Sequence, residues 1–393
     1  MIATLLADHT SPRCGRFSDI SSMPNQQEAP HEAQLGMTTV AFSIHEHIAE
    51  GRQEENRVSD SARRGRRNRD SEGSGWVGAG PHDDLEVRLA AEEENEPFDF
   101  LQPFIMTVLG PIHPAALGPA LVVPSLSPDP AASVETGKID DQLFLIATLK
   151  EWFGVGGQAI ALVSSRLHGP AVATWIAARS SVHLVAPVSP ENALSLTSDD
   201  AIGAVVAALV DDGSPSDRAG WIAIDRASSD IVAIVAGAQR HTGAAVVLDP
   251  ASTDQFNAGH ALTTAGVPPE RLLLFMDQDG MLPGRFGRPA DVLAAGFRVA
   301  FPCVPSETPE PRLRQAMVIA EMIGAGFGDR LVLALDDSMS TVNRAGYPIG
   351  PDLLSRFPLL LMEVGLSATC VRRLLVENVQ DLLTMPGFGQ ESP

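Results

Sequence analysis

The sequence predicts an α/β protein with a (β/α)8, or TIM, barrel that is preceded by a disordered N-terminal segment. From residue 104 onward, short and continuously apolar runs alternate with helical segments, as in sheets that are covered on both faces. Eight such runs follow one another within roughly 280 residues, which is a usual size for this barrel. They lie near residues 121, 160, 184, 222, 246, 273, 299 and 333.

The N-terminal quarter of the chain differs in composition from the rest. It is rich in Ser, Glu, Gln, Asn and Arg, with a basic cluster at Arg63–Arg69 and an acidic one at Glu92–Glu96. Such a segment buries too little apolar surface to offset the conformational entropy lost on ordering. We therefore predict a disordered segment at residues 1–103, a barrel at residues 104–386 and a tail at residues 387–393.

The overall composition disfavours several classes of function. The net charge of −21 disfavours nucleic-acid and anionic-membrane surfaces, and a single tyrosine among few aromatic residues disfavours base stacking. No apolar run has the length of a membrane span, and the first residues lack the features of a signal peptide. Three distant cysteines, Cys14, Cys303 and Cys370, form no metal-ligand spacing. These observations predict a cytoplasmic protein.

Glycine and proline separate the first elements. Ile105–Leu109 is a short apolar strand, and we place a turn at Gly110–Pro111. Ala120–Val123 is the first barrel strand and is stopped by Pro124, since proline cannot donate to a strand ladder. An amphipathic helix is expected at Asp140–Phe153, before a pair of glycines.

The next six units repeat the same order of a buried strand and a helix. The helices show apolar residues at a spacing of three or four, whereas the strands show unbroken apolar runs. The predicted strands and following helices are 159–163 and 170–179, 182–186 and 199–210, 221–224 and 229–239, 245–248 and 253–265, 272–276 and 290–295, and 298–301 and 313–323.

The last predicted strand ends in two carboxylates. Its apolar run, Leu331–Leu335, follows Gly326 and Gly328 and leads into Asp336 and Asp337. Active sites of TIM barrels lie at the carboxyl ends of the strands. Asp336 is therefore the predicted catalytic and metal-binding residue. Two amphipathic helices, 352–363 and 368–383, are expected to close the chain.

Several motifs follow one another between about Ile105 and Met385. They are Thr107–Ile112 with Leu117–Gly118, Arg218–Ile222, Thr242–Val246, Gly326–Arg330 with Asp336, and Gly346–Pro358 with Gly365–Ser367 and Arg372–Asn378. In this order they resemble the motifs of the phosphotriesterase family in the amidohydrolase superfamily.

This resemblance implies a TIM barrel that hydrolyses phosphotriesters, lactones or related esters. Family members use two divalent cations such as zinc, which activate a bridging hydroxide and polarise the substrate. The expected ligands are a His-x-His on strand one, a carboxylated lysine or a glutamate on strand four, one histidine each on strands five and six, and an aspartate on strand eight.

This chain departs from that ligand set at nearly every position. In the order of those ligands it has Val123-Pro124-Ser125, Ala223, Asp249, either Phe275 or Met276, and Asp336. Catalytic zinc requires about three protein ligands, and imidazole is the usual one. We therefore expect one divalent cation at most, or none, where the family has two.

Other polar residues have more limited roles in this interpretation. His183 and His241 begin strands and so lie at the barrel end away from catalysis, and Cys303 has no obvious histidine beside it. Arg166 and His168, in contrast, follow the second barrel strand at the carboxyl end. Both are predicted binding residues.

Three hypotheses follow for the function. The first is a pseudoenzyme-like family member that binds a small molecule or a protein partner at the barrel mouth, without binuclear-metal hydrolysis. The second is a hydrolase with an altered oxygen-ligand metal site formed by Asp336, Asp249 and Asp277. The third is a metal-free enzyme in which His168, Arg166 and Asp336 act as acids, bases or anion ligands. A homodimer is possible, whereas nucleic acid and membranes are not expected partners.

Overall fold

A computed structural model describes residues 98–124, 139–164, 170–210, 218–249, 255–276, 289–303, 309–335 and 352–387. All of them belong to one compact unit. Its main feature is a sheet of nine parallel strands in the order β5-β4-β3-β11-β10-β9-β8-β7-β6, enclosed by helices. The predicted TIM barrel is confirmed.

The strands in the described part of the chain are short. An N-terminal antiparallel hairpin consists of β1 (Ile105–Thr107) and β2 (Gly110–Ile112). The barrel strands are β3 (Ala120–Val123), β4 (Ala159–Leu162), β5 (His183–Val185), β6 (Pro187–Val188), β7 (Trp221–Ile224), β8 (Val246–Leu248), β9 (Leu272–Phe275), β10 (Arg298–Cys303) and β11 (Leu331–Leu335).

Seven helices of the described chain, α1 to α7, alternate with the barrel strands and agree with the predicted ones to within a few residues, and three more follow the last strand. They are α1 (Ile139–Gly154), α2 (Pro170–Ser180), α3 (Ser198–Val210), α4 (Ser229–Thr242), α5 (Gln255–Thr264), α6 (Pro289–Ala294), α7 (Pro309–Gly324), α8 (Phe357–Glu363), α9 (Ala368–Arg372) and α10 (Asn378–Leu383). None of these helices is long and apolar enough to cross a bilayer.

The third predicted barrel strand divides into two short strands. β5 pairs with β4, whereas β6 pairs with β7, and only Ala186 separates them. Pro187 has no N–H to donate, so a continuous ladder is interrupted there. The chain thus passes from one neighbouring strand to the other, and eight predicted strands become nine around the same barrel.

The N-terminal hairpin corrects one sequence prediction. The turn lies at Val108–Leu109, not at Gly110–Pro111, which form the start of β2. The Thr107 hydroxyl donates to the Gly110 carbonyl at 2.7 Å, and Gly110 has a φ of +130°. Residues other than glycine rarely adopt such a φ, so glycine suits this position. Gly110 is the first residue of β2, and the two turn residues come before it.

Helix α4 shows how local sequence sets the ends of an element. The Ser228 hydroxyl accepts the Ile231 N–H at 3.3 Å, which caps the first turn. The helix ends at Gly243, whose φ of +65° is the left-handed conformation common after a helix. His241 lies in the last turn, at the amino end of the barrel, as predicted.

Side chains of the barrel strands alternate between two buried clusters. The outer cluster, between strands and helices, includes Leu121, Val123, Ile222, Ile224, Leu272 and Leu274. The inner cluster fills the barrel and is formed by the intervening residues, among them Val122, Ala161, Trp221, Ala223, Val247, Phe275, Ala300 and Ala334. Both faces are apolar, which explains the continuous apolar runs in the sequence.

The C-terminal helices close the amino end of the barrel. Val379, Leu382 and Leu383 of α10 belong to the inner cluster. Arg271 donates to the carbonyls of Gly243, Asp381 and Thr384, and the Asn378 amide donates to those of Gly328 and Leu331. These bonds join α10 to the segments that precede β8, β9 and β11.

The two predicted closing helices are each interrupted by π-helical residues. Residues Asp352–Arg356 precede α8, and Arg373–Glu377 separate α9 from α10. The helical positions are correct, but the periodicity could not distinguish an α-helical turn from a π-helical one.

Candidate functional site at the barrel mouth

The barrel mouth is the end of the sheet at which the parallel strands terminate. Two inner residues near this end, Ala223 of β7 and Phe275 of β9, are 6% and 4% exposed. Every other residue of the inner cluster is at most 1% exposed. We call Ala223 and Phe275 the barrel floor. They lie on the two strands that flank β8, whose inner residue is Val247.

The structure fixes which side chains face inward at the family's ligand positions. On β7, Ala223 is an inner residue, as the motif implied. Of the two candidates at the end of β9, Phe275 is in the inner cluster and Met276 in the outer one. On β3, Val123 is in the outer cluster, whereas Val122 is in the inner one. The sequence could not show which residues of β3 face inward, because both faces of this strand are apolar.

Two inward-facing side chains at the mouth lack an atom that can bind a metal. They are the methyl group of Ala223 and the phenyl ring of Phe275, at or beside positions where the resemblance implies a lysine or glutamate and a histidine. Neither has an atom that can bind a divalent cation. Among the described residues, no three His, Cys, Asp or Glu side chains come close enough together to hold a metal ion.

A buried glutamine positions the Phe275 backbone. The Phe275 N–H donates to Oε1 of Gln255 at 2.7 Å, and Gln255 is only 2% exposed. Gln255 is the first residue of α5, the next described element after β8. Val247 and Leu273 form the last residue pair between β8 and β9. The Phe275 N–H lies beyond this pair, and the glutamine side chain supplies the acceptor that the strand does not.

Trp221 fills the barrel interior one inward position before Ala223. Its side chain is fully buried, and its indole N–H donates to the Leu162 carbonyl of β4 at 2.8 Å. The only polar atom of this large side chain is therefore satisfied inside the barrel. The sequence motif placed Trp221 on the fourth strand, but not this contact across the barrel.

Two carboxylates lie directly after neighbouring strands, β7 and β8, on one side of the mouth. Asp225 is exposed and Asp249 is half-buried, two residues after Ala223 and Val247 respectively. The Asp249 N–H donates to the Ile224 carbonyl at 3.0 Å. Of the predicted binding residues, Asp249 is the one that lies in the described part of the chain.

Glu191 is a mouth residue that the sequence reasoning missed. Its Oε1 accepts the Asp225 N–H at 3.1 Å, and its Oε2 accepts the Ser189 hydroxyl at 2.6 Å. These bonds join the segment after β6 to the carboxyl end of β7. Its place, five residues after the predicted third barrel strand and three after β6, is the signal that could have identified it.

Four predicted site residues lie outside the described residues. They are Asp336, Arg166, His168 and Asp277. Asp336 directly follows β11, and Asp277 comes two residues after Phe275 in sequence. Their roles remain predictions.

The described cysteine and histidine near the strands have structural environments. Cys303, the last residue of β10, is 4% exposed, and burial raises the pKa of its thiol to about 12. A thiol with such a pKa is protonated at neutral pH and is a poor nucleophile. His183 begins β5 at the amino end of the barrel, as predicted, and burial lowers its pKa.

Comparison with known proteins identifies similar barrels through their structures. No protein-family model and no curated protein matches the sequence. A phosphotriesterase from Mycobacterium tuberculosis is 17% identical, with a TM-score of 0.57, over 71% of this chain and 98% of that one.

Two further solved structures have the same fold. A resiniferatoxin-binding protein from Rhodobacter sphaeroides is 22% identical over 71% of this chain and 94% of that one, with a TM-score of 0.56. An amidohydrolase from Mycoplasma synoviae is 17% identical over 72% and 92%, with a TM-score of 0.55. At such identities the likeness shows a shared fold.

Proposed function

We propose that this chain is a phosphotriesterase-like barrel that binds a small molecule at its mouth and lacks the family's binuclear-metal hydrolysis. The ordered motifs and the shared fold support the family assignment. The similar structures bear the names of enzymes and of a binding protein, so the fold alone does not decide between these functions.

The observation that carries the proposal is the apolar barrel floor. Ala223 and Phe275 face inward at positions that correspond to two metal ligands of the family. A metal pair held by the remaining positions would lack both ligands, and with them the means to generate a hydroxide nucleophile. Binding requires no such ligand, because concave and mostly apolar surfaces at a barrel mouth are the usual sites for small molecules.

A hydrolase with an oxygen-ligand metal site is the alternative. It is favoured by the position of Asp249. Val247 of β8 faces inward, and Asp249 comes two residues later, so it continues the same alternation toward the mouth. Magnesium or calcium accepts such carboxylate ligands. This alternative also needs Asp336 and Asp277, whose roles are predictions from the sequence.

The metal content of the purified protein tests the proposal. The full chain is expressed with zinc and manganese supplied, and metals are measured by elemental mass spectrometry. The proposal predicts no stoichiometric metal and no change of the melting temperature with a chelator. About two equivalents per chain would contradict it.

Two variants and a control distinguish an oxygen-ligand metal site from weak binding of cations to the surface. If about one equivalent is found, the alternative predicts its loss in Asp249→Asn and in Asp336→Asn. Asp225→Asn is the control, because it neutralises an exposed carboxylate after the adjacent strand. Equal loss in all three variants would indicate general attraction of cations to the acidic mouth.

A further inference from the structure

We infer that a disulfide between Cys14 and Cys370 ties the N-terminal part of the chain to the C-terminal helices of the barrel. The inference is independent of the proposed function, because Cys370 lies on α9 and not at the carboxyl end of a strand. It depends on three observations: the bonded state of Cys370, the state of the other described cysteine, and the number of cysteines in the sequence.

Cys370 is bonded to another cysteine. It is the third residue of α9, is 7% exposed and is disulfide-bonded in the structure. Ser367, which precedes this helix, accepts the Cys370 N–H and donates its hydroxyl to the Cys370 sulfur, each at 3.3 Å. A hydrogen bond to the charged form of a group favours that form, so the same hydroxyl stabilises the thiolate when the bond is reduced.

The composition leaves one partner for Cys370. The chain contains three cysteines. Cys303 is a buried free thiol whose pKa is raised to about 12 by burial, and a thiol with so little thiolate exchanges slowly with disulfides. Because the bond lies within one chain, Cys14 is the remaining partner. Cys14 itself lies outside the described residues.

The attachment point belongs to the helices that close the amino end of the barrel. α9 leads through π-helical residues into α10, where the Asn378 amide donates to two main-chain carbonyls beside β11. The described chain enters the barrel near the same helices, since the backbones of Phe104 and Met385 exchange hydrogen bonds of 3.1 and 2.8 Å. The bond at Cys370 therefore adds a second attachment near the first one.

The chain between the two attachments is long enough to connect them. It comprises residues 15–97. A flexible segment of this length has an end-to-end distance of about 50 Å, from roughly 5–6 Å multiplied by the square root of the residue number. The bond thus places no demand for an ordered structure on these residues.

Formation of the bond needs a two-electron oxidant, which a small disulfide such as oxidised glutathione supplies. One cysteine thiolate attacks a glutathione sulfur and displaces the first glutathione thiolate, and the second cysteine thiolate then displaces the other. Two cysteine thiols lose two protons and two electrons, and one oxidised glutathione becomes two reduced molecules. A reducing cytoplasm, which the sequence predicts, keeps thiols reduced, so the tether forms under oxidising conditions and is released by reduction.

Counting free thiols tests the inference. The full-length protein is treated with oxidised glutathione, denatured, alkylated with N-ethylmaleimide and weighed by mass spectrometry. We expect one alkylated cysteine, Cys303, and all three after prior reduction. An unreduced tryptic digest should contain residues 14–16 linked to residues 357–372. Three alkylated cysteines without reduction, stable glutathione adducts, a link to Cys303 or a link between two chains would overturn the inference.

Two substitutions and one condition distinguish this pairing from non-specific oxidation. Cys14→Ser leaves Cys370 without its partner, so we expect two alkylated cysteines after the same treatment. Cys303→Ala is the control, in which the link should still form and no cysteine should be alkylated; circular dichroism confirms that both variants fold. Oxidation in concentrated urea should give mixed pairs, because the folded chain no longer sets the partner. An equal yield of the Cys14–Cys370 link in urea would refute a pairing set by the fold.

Discussion

Replacing Trp221 by phenylalanine tests the role assigned to the barrel interior. The substitution keeps an aromatic ring but removes the indole N–H that donates to the Leu162 carbonyl at 2.8 Å. Both partners are buried at 0% exposure, so water does not readily replace the lost donor. The Leu162 carbonyl then has no indole donor inside an apolar barrel.

The expected loss of stability can be built from two contributions. A buried acceptor that loses its partner costs about 1–3 kcal/mol. The smaller ring buries less apolar surface and leaves a gap, which costs about 1 kcal/mol more. We therefore expect Trp221→Phe to lower the free energy of unfolding by about 2–4 kcal/mol.

Trp152 offers a matched control on α1. It is 1% exposed, but its indole N–H has no hydrogen-bond partner among the described residues. Trp152→Phe breaks no hydrogen bond and removes an unpaired buried donor, so the loss from the smaller ring is partly offset and should be at most about 1 kcal/mol. Urea unfolding followed by far-ultraviolet circular dichroism measures both variants without depending on tryptophan fluorescence. A Trp152→Phe loss as large as that of Trp221→Phe would refute the hydrogen-bond reasoning.

Two further predictions concern the amino end of the barrel. Arg271→Met removes hydrogen bonds to the carbonyls of Asp381 and Thr384, which join α10 to the barrel, and one to the carbonyl of Gly243 before β8. We expect a loss of stability of about 3–5 kcal/mol and faster amide exchange in α10. Arg240→Met, at an exposed site, should change stability by less than about 0.5 kcal/mol. Burial lowers the pKa of His183 below 6.5, so below pH 6.5 the unfolded chain binds more protons and stability falls as the pH falls. His183→Gln should reduce this slope in urea titrations between pH 5 and 8, and an unchanged slope would contradict the assignment.

The fold was largely predictable because the barrel repeats one simple pattern. The runs at Trp221–Ile224 and Ala120–Val123 have the same bounds in the sequence prediction and in the structure. Errors arose where tertiary contacts decide, as at Pro187, where the strand changes its partner, and at Gly110, where a φ of +130° places the turn two residues earlier than expected.

The candidate site was predictable in its residue types but not in its geometry. The resemblance of the Arg218–Ile222 motif assigns Ala223 to a ligand position from the sequence alone. The sequence does not show whether Phe275 or Met276 faces the barrel. An unbroken apolar run has no alternation of polar and apolar residues that would distinguish the inward face from the outward one. Glu191 was missed for a related reason, since its contact with Asp225 joins residues 34 positions apart.

The sequence by itself determined the alternation of strands and helices and the motifs that carry the family resemblance. Both are local properties, because they depend on residue type and on spacing within short segments. The tertiary structure decided which face of each strand lines the barrel, that Ala223 and Phe275 are buried on its inner face, and that Trp221 spans from β7 to a carbonyl of β4. These depend on how distant strands pair and twist around one another, which no single segment specifies.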